Sequence, residues 1–166
     1  QARALYLYMA IHPGKMLDFM GNEFAQLREF DESREQDWML LKYPNHDDFH
    51  RYRRALNEAY LANEAFWSRE YDPEAFRWLD CAHPELDACA IWRDGHDGAV
   101  LAAFNFGDTE LADYTLTLPR ATKLLDTDWQ CFGGRTEKPK RLVGKACGGE
   151  LKLTLAPFSG QLFKLV

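Results

Sequence analysis

The sequence has no stretch of about eighteen apolar residues and no run of basic ones, so it offers neither a membrane-spanning helix nor a polybasic membrane patch. Its formal net charge of −6 argues against a general nucleic-acid binder, which needs a basic face to displace counterions. Cysteine is sparse: Cys81, Cys89, Cys131 and Cys147 match no CxxC spacing. The histidines, His12, His46, His50, His83 and His96, form no ligand cluster with them. His46 and His50 stand i, i+4 at a helix start beside Asp47 and Asp48, a pattern of solvated polar positions. No metal and no cofactor is expected. With neither a disulfide framework nor a signal peptide, the cysteines read as reduced thiols of a cytoplasmic protein. The first residue is Gln1, not methionine, which reads as a chain cut from a longer one.

What is present is enough apolar material for a core: 46% of the 166 residues are hydrophobic and 14% aromatic. Residues 2–11, ARALYLYMAI, are apolar on almost every side, as in a helix buried within a larger protein. His12-Pro13-Gly14 stops it. Lys15 to Met20 then reads as a short buried strand of parallel type, with Asp18 as a charge that needs a partner. From Gly21 to about Asn45 runs an acid-rich loop, longer than most connections in compact domains and for that reason a functional candidate. Roughly Asp47 to Ala65 predicts an amphipathic helix, with Asn45 as its cap and Phe49, Tyr52, Leu56, Ala59 and Tyr60 on one stripe.

Beyond Tyr71 the period shortens. Residues 76–80, 88–93, 99–106, 113–118, 122–127, 141–145, 150–155 and 160–166 are short strand candidates, most of them separated by glycine-, aspartate- or proline-bearing turns. Leu151, Leu153 and Leu155 alternate with Lys152 and Thr154, which gives one buried and one wet face. The fold class predicted is therefore mainly β: an antiparallel β-sandwich of about eight strands over 67–166, preceded by a helix-strand-helix remnant of an α/β architecture over 1–66. One strand and two helices cannot close a (β/α)8 barrel, which takes about 250 residues, so a fragment is expected.

The stretch MLDFMGNEFAQLREF, the DW at 37–38 and the helix FHRYRRALNEAY resemble the last barrel strand, its loop and the last barrel helix of bacterial 1,4-α-glucan (glycogen) branching enzymes, members of the α-amylase clan. YDPEAFRWLD, LAAFNF, DYTLTLP, LLDTDWQCFGG and LKLTLAPFSGQLFKLV are similar to that family's C-terminal sandwich in order and spacing. The resemblance implies cleavage of an α-1,4 glucan bond by a carboxylate nucleophile and a carboxyl acid, then transfer to a 6-hydroxyl with retention. In the family these carboxylates follow earlier barrel strands, so no catalytic residue is assigned to this chain and the fragment alone is expected to be inactive.

The resemblance also places Asn22, Glu23 and Gln26 at the barrel's active rim, with Arg28, Glu29 and Trp38 supplying further groups of the kind that bind sugar hydroxyls and faces. A structural alternative pairs Glu23 with Arg28 and packs Trp38 under the loop. Phe30 replaces the tryptophan expected in the family's REW. The acidic side chains Glu23, Glu29, Glu32 and Glu35 read as a solvated surface, not an acid/base pair. In the sandwich, Trp78 and Trp92 are assigned to the core, and Trp129 is the surface candidate for glucan stacking. The partners implied are an α-glucan and the preceding part of the barrel, with self-association through uncovered apolar surface. Two other functions fit the same pattern: a free-standing β-sandwich carbohydrate-binding or interaction module, and the C-terminal part of another α-amylase-clan hydrolase.

Overall fold

The computed structural model describes residues 1–81, 84–118, 120–140 and 149–165. Helices α1 (Ala2–Ile11) and α2 (Pro44–Ala62) precede seven strands: β1 (Phe76–Asp80), β2 (Ala88–Asp94), β3 (Ala99–Asn105), β4 (Leu111–Thr117), β5 (Ala121–Asp126), β6 (Glu150–Leu155) and β7 (Ser159–Leu165). Five strands form one antiparallel sheet in the order β1-β2-β3-β7-β5, and β4 pairs with β6 in a second. Seven of the eight expected strands are thus found, and the eighth, 141–145, lies outside the described residues.

The larger sheet is covered on both faces, which explains its sequence. Along β3, Val100, Ala102 and Phe104 face the helices, while Ala99, Leu101 and Ala103 face β4 and β6. Every residue of AVLAAFN is therefore buried and alternation disappears. β6 is covered on one face only, and its ELKLTL alternates exposed and buried. Asn105 closes β3 with no exposure, its amide group donating to the carbonyls of Thr109 (2.8 Å), Leu155 (3.2 Å) and Ala156 (3.1 Å) while its oxygen accepts from the Gly107 amide. A buried amide with four partners fixes the bend out of the strand.

Three contacts hold the helices to the sheet. Gly160 on β7 sits beneath Leu7 and Phe104, where a Cβ would lie 2.7 Å from the Phe104 ring, so glycine permits the close approach of α1. Arg93 is buried on β2 and donates to the carbonyls of Ile11 (3.3 Å) and His12 (3.4 Å) at the C-terminal end of α1, where a cation also suits the helix dipole. Burial lowers its pKa. Arg3 donates to the carbonyls of Thr127 (2.5 Å) and Phe132 (2.9 Å), and the Tyr52 hydroxyl donates to the Arg3 carbonyl at 2.6 Å, linking α2, α1 and the turn after β5.

Four expectations are corrected. Residues 15–20 join no sheet, because no described strand lies beside them to take up their backbone groups. Helix α2 begins at Pro44, whose fixed φ suits the first helical position, so Asn45 lies inside the first turn and caps nothing. Trp129 is only 2% exposed, because the turn after β5 folds beneath α2 with the Trp129 ring near Phe132 and that ring against Tyr52. Trp78 is 43% exposed and not core, since β1 is an edge strand with little covering it.

Candidate functional site

The loop from Gly21 is ordered by its own side chains. Gly21 and Ala25 both take the left-handed conformation (φ 87° and 56°) and bracket a single 3-10 turn, Asn22–Phe24. Phe24 is buried under Trp38, ring to ring at 4.9 Å, and its carbonyl meets His46 Nδ1 at 2.9 Å, which fastens the turn to α2. This is the part His46 plays, and among the described residues no group of three metal-type ligands occurs.

Gln26 spans the loop: its oxygen accepts from the Asp37 amide at 2.9 Å and its nitrogen donates to the Arg28 carbonyl at 3.2 Å. Arg28 pairs with Asp37 (2.7 Å) and donates to the Glu35 carbonyl (2.5 Å), so the expected loop-ordering ion pair exists with Asp37, not Glu23, as the acid. The hydrogen bond from Arg28 holds the Asp37 carboxyl below its ordinary range.

Six of the seven sequence-predicted residues therefore belong to one loop, but in two roles. Gln26 and Arg28 are spent on holding it together. Asn22, Glu23, Glu29 and Trp38 form no side-chain hydrogen bond among the described residues; Asn22 and Glu29 are exposed, Glu23 half-buried and Trp38 45% exposed. Trp129 does not belong to that loop: its ring lies near Phe132, whose own ring meets Tyr52 of α2. The loop can present carboxylates, an amide and an indole to a polyhydroxylated ligand. Glu29, Glu32 and Glu35 are exposed to solvent.

Sequence reasoning missed two features. Asp18, read as a charge needing a partner, finds Arg53, an α2 residue buried to 2% and lying over the Tyr6 ring at 3.9 Å. Its place on the inner side of α2, one residue after Tyr52 and three before Leu56, was the available signal. The segment on either side of Gly21 also leaves large apolar side chains uncovered: Leu17 is 75% exposed and Leu27 82%, and Phe19, Met20 and Phe30 are exposed as well, with Phe19 and Phe30 edge to face at 5.3 Å. The second feature is a groove of about 600 Å³ between α1 and the sandwich, lined by Leu5, Tyr8, Trp78, Phe106 and two cysteines, Cys81 and Cys89. Phe106 stacks on Phe104 (5.4 Å, 6° between planes) and meets Tyr8 edge-on, so its face is held in place.

Residues 78–166 match the family model described as the alpha amylase, C-terminal all-beta domain. The chain belongs to that family. Members of 1,4-alpha-glucan branching enzyme GlgB are similar to it beyond the sandwich: that of Thiobacillus denitrificans is 32% identical over 98% of this chain, and that of Thermobifida fusca 40% identical over 80%. The chain spans only 23% and 18% of those relatives. Among solved structures, trehalulose synthase MutB shares the fold over 99% of this chain and 38% of its own, with a TM-score of 0.59 at 14% identity. A pullulanase from Anoxybacillus sp., complexed with maltotetraose, covers 80% of this chain and 17% of its own, with a TM-score of 0.51 at 11% identity. The all-beta domain of the family is thus seen here with its preceding helices, in an arrangement shared with a far longer enzyme chain.

Proposed function

We propose that this chain is the C-terminal portion of a cytoplasmic 1,4-α-glucan branching enzyme, comprising the end of its catalytic barrel over 1–66 and its sandwich domain over 67–166. The observation that carries this reading is the similarity to branching enzymes across 98% of the chain, helices and loop included. The uncovered apolar surface of Leu17, Phe19, Met20 and Leu27 supports it, since an adjoining barrel would bury such a face. The cleavage of α-1,4 bonds and transfer to a 6-hydroxyl belong to the whole enzyme, with both catalytic carboxyls supplied by other parts of its barrel. This portion contributes the rim of Asn22, Glu23, Glu29 and Trp38 toward glucan, and its sandwich braces the last two barrel helices. Trp78 and Phe106 give the sandwich a second, aromatic surface on which a sugar face can stack.

The test is direct. The chain incubated with amylose should leave iodine staining unchanged and form no α-1,6 linkages; new branches would overturn the assignment of catalysis to other parts of the enzyme. Grafted behind the corresponding upstream portion of the Thermobifida fusca relative, it should give an active enzyme. In that chimera Trp38→Ala and Glu23→Gln should raise KM for amylose several-fold, while unchanged kinetics would remove the rim from the substrate path.

A further inference from the structure

Cys81 and Cys89 both line the groove between α1 and the sandwich, and both are free thiols, Cys81 exposed and Cys89 half-buried. Their meeting depends on an irregularity in the sheet. Trp78 pairs with Ile91, but Asp80 pairs with Ala90, so Leu79 is an extra residue bulged out of β1. Continued by one residue, this register sets Cys81 opposite Cys89. Without the bulge Cys81 would oppose Ala88 instead, and the two side chains would lie on opposite faces of the sheet. Cα atoms of directly opposed antiparallel residues stand about 4.5–5.5 Å apart. That lies within the window of about 4.4–6.8 Å that a disulfide requires.

We propose that Cys81 and Cys89 are a dithiol modification site that closes to a disulfide on exchange with a low-molecular-weight disulfide such as oxidised glutathione. The Cys81 thiolate attacks one glutathione sulfur, forms a mixed disulfide and expels the other glutathione as a thiolate. Cys89 gives its proton to solvent, and its thiolate attacks the Cys81 sulfur, releasing the second glutathione. Two protein thiols are oxidised and one small disulfide is reduced to two thiols. The order follows from exposure: Cys81 is accessible, whereas burial, reinforced by the nearness of Cys81 and Asp80, pushes the Cys89 thiol up to about 11 and slows the second step at neutral pH. Closure pins the C-terminal end of edge strand β1 to the start of β2 and alters the floor of the groove beside Trp78. The site is independent of the branching-enzyme reading.

Peptide mapping tests it on the whole chain. Trypsin releases residues 78–93 as one peptide, because no lysine or arginine lies between Arg77 and Arg93. After exposure to oxidised glutathione and denaturation in iodoacetamide, this peptide should be lighter by two hydrogens and carry no alkyl group. Dithiothreitol should restore two alkylatable thiols. In the Cys89→Ser chain, Cys81 should instead retain glutathione. Recovery of 78–93 with both thiols alkylated, of Cys81 stably glutathionylated in the unmutated chain, or of either cysteine joined to Cys131 or Cys147 would overturn the proposal.

Discussion

Replacing Gly160 by alanine tests whether the helix layer is seated on the sheet as closely as described. The added Cβ would stand 2.7 and 2.8 Å from two Phe104 ring carbons and 3.1 Å from a Leu7 methyl. Ordinary carbon contacts begin near 3.5 Å, so the ring would have to move by several tenths of an ångström or more. It has little room: Phe104 and Leu7 are both fully buried, and the Phe104 ring lies between Tyr8 and Phe106. Overpacking of this kind costs about 1–3 kcal/mol. Gly160 does not take a positive φ, so restricting the unfolded chain returns about 0.4–1 kcal/mol. At the middle of these ranges the net loss is about 1.3 kcal/mol, or roughly 3–5 °C in Tm for a chain of this size. Urea unfolding followed by circular dichroism should show a lower midpoint at unchanged slope. Phe104→Leu, which destabilises by itself, should relieve part of the alanine's cost, so the double variant should lose less than the sum. A midpoint equal to or above that of the unmutated chain would refute the close seating of α1.

Gly134→Ala should be worse, because its Cβ would fall 2.0 Å from the Asp128 carbonyl oxygen, and backbone cannot step aside as a side chain can; a variant melting no lower than Gly160→Ala would contradict this. Arg28→Met should leave Tm nearly unchanged yet speed limited proteolysis between residues 28 and 37, since Arg28 ties the two limbs of that loop together. Asp126 is held above the ordinary carboxyl range by burial, opposed in part by Lys123. The folded chain therefore keeps a proton that the unfolded chain releases near pH ~4. Its contribution is greatest below that value and is lost as pH rises through the raised pKa. Asp126→Asn should remove this descent, and an identical pH–Tm profile for the two proteins would exclude it.

Much of the sandwich was legible because it is written in side-chain period. β6 alternates and was readable from Leu151, Leu153 and Leu155; β3 does not alternate, and its apolar run was readable as a strand, while the covering of both its faces was visible only in the fold. The tryptophans were less legible, since a position within a turn or strand does not say what lies above it. Trp129 sits in a turn that α2 covers, and Trp78 in a strand that, among the described residues, lies at the edge of its sheet. Residues 15–20 show the same limit: their apolar pattern encodes a preference for burial, but a strand needs a neighbour's hydrogen bonds, and none is described beside them. In the rim loop, residue type marked the right stretch. Which polar groups face outward was settled only by pairings such as Arg28 with Asp37 and Gln26 with the Asp37 amide, which no local pattern specifies.

The five-stranded sheet is a party wall. Ile91, Val100, Ala102, Phe104, Leu125 and Leu162 on one side belong to the core shared with the helices, while the alternate residues of the same strands serve the core beneath β4 and β6. A cut made at residue 78, where the family match begins, would strip that wall on its helix side and leave a row of large apolar side chains in water. The unit that can be moved between enzymes is consequently larger than the sandwich. It must carry α1 and α2 with it, and swaps made at the sandwich edge alone should yield aggregating protein.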